Sequence, residues 1–212
     1  MCRLFALTLG SIFFFGLSVE GLCSGKVKYQ IAFHYNWTLE SHPVEYPSFP
    51  HFSWLVGVSH NKFYTFWNVN GFANNGIQNI AELGDVFMAR KEFNTERNVY
   101  NFDVGSLSRA VDLDLVAVEV DGQSRRTLLS AASMIAPSPD WFVGFSRLQT
   151  CRNRSWVASM DGVLVGYDAG TDSGGSYESF DQVTNPIVPI RKLVGDPTRG
   201  VLFGTYEVSI MA

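Results

Sequence analysis

The sequence predicts an all-β domain, an antiparallel β-sandwich with one short helix and long loops. Three observations carry that expectation. The chain holds 17 Phe, 8 Tyr, 5 Trp and 19 Gly, a mixture that suits half-buried pleated strands and tight turns better than helix bundles, which draw on Ala, Leu, Glu and Lys. Val27, Tyr29, Ile31, Phe33 and Tyr35 alternate with Lys28, Gln30, Ala32, His34 and Asn36, the period-two pattern of a strand with one wet face. Short apolar runs recur at Val111–Val120, Thr127–Ile135, Trp141–Leu148, Gly162–Tyr167 and Tyr206–Met211, separated by turn residues as in a sandwich.

The elements follow in chain order. Met1–Leu17 reads as a secretory leader, with Arg3 as its positive start and a run of mostly apolar residues too short to span a bilayer. Cleavage after Gly21 is expected, with cleavage after Ser18 as the alternative, and the first divides the chain into a signal peptide over 1–21 and one domain over 22–212. After the first strand, the prolines and aromatics of Ser41–Phe52 predict a stiff connection that crosses the surface of the sandwich without pairing inside it. Ile77, Ile80, Ala81 and Leu83 fall at helical spacing and Gly84 follows them, which predicts the one short helix. Asp121-Gly122 marks a turn between the next two strands. Gly, Ser and Thr cluster early in Gly170–Pro189 and prolines interrupt it later, so a long functional loop is expected there.

Composition removes several classes of function. Hydrophobic residues make up 46% of the chain and charged residues 17%, which excludes a disordered chain. The formal net charge is -4 and Lys or Arg never run beyond two in succession, so nucleic acid is not an expected partner. Once Cys2 leaves with the leader, Cys23 and Cys151 remain as an even pair. In an oxidising compartment such a pair reads as a disulfide, with two separate buried thiols as the alternative. Its long loop would be worth about 4 to 5 kcal/mol in the chain-entropy picture. Asn36-Trp37-Thr38 and Asn153-Arg154-Ser155 are glycosylation sequons, and the second, without Trp at its centre, is the better acceptor.

Two segments suggest chemistry. Asp172-Ser173-Gly174-Gly175 resembles the nucleophile segment of trypsin-like proteases. A serine nucleophile needs an imidazole base and an acid to orient it, and none of His34, His42, His51 and His60 stands in the setting those enzymes use. No enzyme is expected, and a structural role is expected for the histidines, with His42 and His51 hydrogen-bonding backbone near their prolines. The second segment is Asp168-Ala169-Gly170-Thr171-Asp172-Ser173-Gly174, with two carboxylates in a Gly-punctuated turn after a strand. Hard oxygen ligands on such a loop suit calcium, although Asp and Gly are also ordinary turn residues. Asp140, in Pro137-Ser138-Pro139-Asp140-Trp141, supplies a third carboxylate if the two loops meet.

Read together, several segments resemble the spondin domain. The resemblance is carried by Asn36-Trp37-Thr38, His42-Pro43, Tyr46-Pro47, Pro50-His51-Phe52-Ser53, Gly57-Val58-Ser59-His60, Gly71-Phe72-Ala73 and Ala81-Glu82-Leu83-Gly84. It is strongest at Ser138-Pro139-Asp140-Trp141 and at Asp168-Ala169-Gly170-Thr171-Asp172-Ser173-Gly174. The resemblance implies a C2-like antiparallel β-sandwich, secreted into the extracellular matrix and adhesive, not catalytic. It implies Ca2+ as cofactor, held by Asp140, Asp168 and Asp172. The implied partner is a cell-surface receptor or matrix protein, integrins among them. The 212 residues contain no Arg-Gly-Asp tripeptide and no thrombospondin type 1 repeat, so no receptor-contact residue is assigned. The alternative is a soluble innate-recognition protein whose loops bind glycans or lipid surfaces; the loops near Asp140 lack the pair of basic residues that anionic lipid would favour.

Overall fold

The computed structural model describes residues 22–212, and the leader expected over 1–21 lies outside them. The elements in chain order are β1 (Lys26–Asn36), β2 (His51–Phe52), β3 (Val56–His60), α1 (Asn75–Leu83), α2 (Phe87–Thr95), β4 (Val99–Val104), β5 (Ser108–Arg109) and β6 (Val111–Asp121). They continue with β7 (Leu128–Ala136), β8 (Trp141–Gln149), β9 (Cys151–Arg152), β10 (Ser155–Trp156), β11 (Ser159–Leu164), β12 (Gly166–Asp168), β13 (Arg191–Lys192) and β14 (Gly204–Ile210). One sheet runs β11-β14-β1-β6 and the other β13-β12-β8-β7-β2-β5, with β3 joining β7 to β4. The pairings between strands are antiparallel, and the architecture is the expected all-β sandwich.

The alternation in β1 decides the first sheet. Tyr29, Ile31, Phe33 and Tyr35 turn inward and are buried, while Lys28, His34 and Asn36 stay wet. Antiparallel pairing sets Tyr29 opposite Val118 and Ile31 opposite Val116 on β6, and opposite Ile210 and Val208 on β14. These side chains pack onto Leu129, Val143 and Phe145 of the second sheet. Both faces of β7 are covered, because a second cluster of Val58, Ile77, Ile80, Phe93 and Phe142 buries its outer side under the helices. A strand enclosed on both faces reads as a mostly apolar run without alternation, as Leu128–Ala136 does apart from Ser130 and Ser133, whose hydroxyls meet His60 Nε2 and Ser53 O.

The structure revises several expectations. The helical segment is real, with Asn74 Oδ1 accepting from Ile77 N at 2.8 Å and Gly84 closing it at φ 65°. A second helix, α2, follows it immediately. It buries only Ala89 and Phe93, too thin a periodicity to stand out in sequence, and Glu92 fixes it to the body by accepting from Tyr64 Oη at 2.6 Å. His51–Phe52 does pair inside the sheet, because Phe52 is fully buried and stacks on Tyr35 at 3.9 Å. The run Gly162–Tyr167 is two strands in different sheets, β11 beside β14 and β12 beside β8. Asp121-Gly122 does form a turn, closed by the antiparallel Asp121–Arg126 pair, and beyond that pair the chain passes from one sheet to the other.

Strand β4 gave no clear signal, because its residues are all half-buried. Its polar side chains protect an edge: Asn101 Oδ1 accepts from Glu119 N and Asp103 Oδ2 from Ala117 N, each at 2.8 Å. Asp112 and Asp114 accept from Leu113 N and Leu115 N in the same way. The free edge of β6 is thereby closed to another strand.

Cys23 and Cys151 are joined, with Cα atoms 5.9 Å apart. The bond ties the first described turn to the β9–β10 hairpin, where Trp156 Nε1 donates to Ser24 O at 3.1 Å. Among the described residues no helix is long and apolar enough to cross a membrane.

Candidate functional site

Asp140, Asp168 and Asp172 come together at one end of the sandwich, drawn from different elements. Asp140 sits in the connection between β7 and β8, Asp168 ends β12, and Asp172 opens the long loop to β13. Ser138 Oγ accepts from Trp141 N at 3.0 Å and so turns the Asp140 loop inward. Ala169 N then donates to Asp140 O at 3.0 Å, which locks the two loops together. Gly170 takes φ +77°, and a Cβ there would lie 2.0 Å from Val188 O, so only glycine permits this close approach.

All three carboxylates are buried. Asp140 Oδ2 accepts from Thr171 N at 2.7 Å and Asp172 N at 3.0 Å, while Asp140 Oδ1 finds no hydrogen-bond partner among the described residues. Asp168 Oδ1 accepts from Gly170 N at 2.8 Å, and its Oδ2 takes Arg191 Nε at 3.1 Å and Nη2 at 2.8 Å. Asp172 Oδ1 accepts from Gly174 N and its Oδ2 from Gln182 N, both at 2.7 Å. Burial, together with the charge of Asp168, pushes the Asp140 carboxyl up to about 6. Backbone amides thus orient the carboxylates and leave lone pairs free, and one oxygen is buried without any donor.

Such a donor set suits a hard cation that takes oxygen ligands. Asp140, Asp168 and Asp172 would hold it, and its charge would offset their mutual repulsion. Among the described residues the carboxyl groups do not converge as a ready-made cluster of three. Calcium accepts six to eight oxygens, so side chains alone would supply only part of its shell.

Aromatic packing holds the loop that follows. Tyr177 lies between Trp37 and Trp141, with ring centroids 5.0 and 5.2 Å away, and Glu178 Oε1 accepts from Ser48 N and Oγ at 3.0 and 2.9 Å. The neighbouring loop tips are apolar and wet: Phe49 is 73% exposed, Phe180 92% and Val183 82%. Arg191, Tyr177 and these tips were not singled out by sequence. Nothing at Arg191 marks it, since Asp168 lies 23 positions away in the chain.

The Asp172-Ser173-Gly174-Gly175 segment belongs to this end, and Ser173 Oγ pairs with Thr184 Oγ1 at 2.6 Å, not with a histidine. A serine and a histidine do meet elsewhere. His60 Nε2 lies 2.8 Å from Ser130 Oγ, both side chains are fully buried, and Ser130 Oγ also accepts from Arg147 N at 2.9 Å. Only a donor can face the Asn61 carbonyl 2.9 Å from His60 Nδ1, and with its pKa held down to about 4 the ring is neutral at pH 7, which leaves Nε2 to accept from Ser130 Oγ. His51 Nδ1 meets Phe49 O at 2.9 Å, the backbone contact expected of it, and His42 Nδ1 lies 2.9 Å from Ser41 Oγ.

Burial, with Arg147 nearby, holds the His60 pKa down to about 4. Unfolding releases the ring to an ordinary value of about 6.5, so the unfolded chain binds the extra proton between these limits. Stability is therefore full above about pH 6.5 and falls as the pH drops toward 4, by roughly 3 kcal/mol from this group. Asp140 contributes with the opposite sign, losing stability as the pH rises through about 6, so the two effects separate only by comparing variants. Thermal melts of wild type and His60→Gln between pH 7 and 4.5 are expected to show a shallower acid loss in the variant; parallel slopes would refute this assignment.

The spondin family model, Spondin_N, matches residues 27–199. The chain belongs to the spondin family. It is 34% identical over 177 residues to Spondin-1 of Rattus norvegicus, covering 80% of this chain and 22% of that protein. Spondin-1 of Homo sapiens is 34% identical over 181 residues, and Spondin-2 of Homo sapiens is 33% identical over 198 residues, covering 88% of this chain and 58% of the relative. The chain therefore spans about a fifth of Spondin-1 and little more than half of Spondin-2. As a spondin-type protein it is secreted to the extracellular matrix, a location that accords with its disulfide.

Proposed function

We propose that this spondin is a calcium-binding adhesion protein that contacts a cell-surface receptor or matrix protein, integrins among them, and carries out no turnover. The observation that carries the reading is the group of buried carboxylates Asp140, Asp168 and Asp172, one oxygen of which has no donor among the described residues. Beyond the effect of burial, the charge of Asp168 acts on the Asp140 carboxyl and raises its pKa, and a bound cation would relieve that repulsion while fixing the loops. The exposed Phe49, Phe180 and Val183 beside the site offer a partner an apolar contact whose shape calcium would set. The sequons at Asn36 and Asn153 both present exposed asparagines. Asn153, in the β9–β10 turn at φ 51°, is the one we propose to carry glycan.

Calcium that binds only the folded state stabilises it by RT ln(1 + [L]/Kd), and extracellular sites bind at about 10⁻⁴ to 10⁻³ M. Melting is expected to rise between chelator and millimolar calcium. Asp172→Asn should remove most of that rise, and Asp85→Asn, on an exposed turn before α2, should keep it. An unchanged melt in wild type would remove the metal, whereas equal loss in both variants would remove only the ligand assignment. Pull-down from cell-surface extracts, with liposomes and glycan arrays in parallel and each with and without chelator, then separates adhesion from lipid or glycan recognition.

A further inference from the structure

We infer that Arg191 is a built-in counter-ion of the carboxylate site, which competes with calcium for Asp168 and so sets the affinity of the site. The inference rests on the calcium reading above. In the antiparallel β12–β13 pair Asp168 stands directly opposite Arg191. The guanidinium directs Nε and Nη2 to the same oxygen, Asp168 Oδ2, at 3.1 and 2.8 Å. Among the described residues no other cationic side chain pairs with Asp140, Asp168 or Asp172.

Exposure makes the pair asymmetric. The Arg191 side chain is 69% exposed and that of Asp168 only 7%. The carboxylate cannot leave, being fixed by Gly170 N–H at the other oxygen, whereas the guanidinium can turn into water at small cost. Without a metal, Arg191 neutralises part of the buried charge. With one, the same charge repels it. A residue that only positioned Asp168 would have the opposite effect, since its loss would loosen a ligand and weaken binding.

Calorimetric titration with calcium alone, on the disulfide-bonded protein, distinguishes these cases. Arg191→Gln is expected to bind calcium about three- to tenfold more tightly than wild type at low ionic strength, and the gap should narrow in high salt. Lys192→Gln, which removes the same charge without touching Asp168, should bind as wild type does. Arg191→Gln should also melt below wild type in chelator and approach it in saturating calcium. Equal or weaker binding by Arg191→Gln, with wild type binding normally, would overturn the inference and leave the calcium reading in place; absence of binding in both would remove that reading, and the inference with it. A measurement on wild type needs no variant to fold. The Arg191 Nε–H resonance should lose its hydrogen-bonded shift as calcium is added, and a resonance unmoved at saturation would likewise overturn the inference.

Discussion

Replacing both Cys23 and Cys151 by serine is expected to destabilise the domain by up to about 5 kcal/mol. The bond spans a sequence separation of 128, and fixing the ends of so long a loop in the unfolded chain gives that figure in the chain-entropy picture, against about 2 to 5 kcal/mol for native bonds removed from small secreted domains. A domain of this size is stable by only about 5 to 15 kcal/mol, so the loss is a large share of the whole. The double replacement avoids a lone thiol. The remaining anchors of this segment, Trp156 Nε1 to Ser24 O and Gly122 N to Gly25 O at 3.0 Å, should hold it in the native state, so the effect falls mainly on the unfolded chain. Urea midpoints of the oxidised wild type and the double variant measure it. Coincident midpoints would show that the bond contributes nothing to stability.

Trp37→Ala is expected to cost about 3 to 5 kcal/mol, the range for truncating a buried aromatic, and to reach the functional end as well. Trp37 is fully buried and meets the rings of Tyr46, Phe52, Tyr177 and Phe203 at 5.8, 5.7, 5.0 and 5.6 Å. Tyr177 belongs to the loop that Asp172 opens, so the indole is the wall against which that loop packs. Its Nε1 has no partner among the described residues, and Trp37→Phe, which discards that nitrogen and keeps a ring, should lose much less. Denaturant unfolding gives the first effect, and the melting rise with calcium gives the second. A Trp37→Ala protein with wild-type calcium response would show that the loop does not depend on this wall.

The candidate site was legible in part. Asp168 and Asp172 stood out because two carboxylates and two glycines follow the end of a strand, and turn chemistry is local. Asp140 entered through the Ser-Pro-Asp-Trp segment, and the structure does bring it beside the other two, with Thr171 N and Asp172 N on its Oδ2. Arg191 could not be read, because its pairing with Asp168 depends on where the chain returns after a long loop. Trp37 was visible only as the centre of a sequon, although its larger role is to pack Tyr177.

The same division runs through the fold. Alternation in β1 determined which side chains face the core, because successive Cβ atoms on a strand point to opposite faces whatever the strand pairs with. The Gly84 stop of α1 and the two turns at Asp121-Gly122 and Asp168–Gly174 were likewise set by neighbours in sequence. Which sheet a strand enters was not. Gly162–Tyr167 is continuous in sequence and divided in space, and Thr127–Ile135 is buried on both faces because α1 packs on its outer side. Sheet membership, the two-sided burial of β7, the protected edge of β6 and the Arg191–Asp168 pair all depend on contacts between distant residues, which form only when many loops close together, and that information resides in the packed chain as a whole.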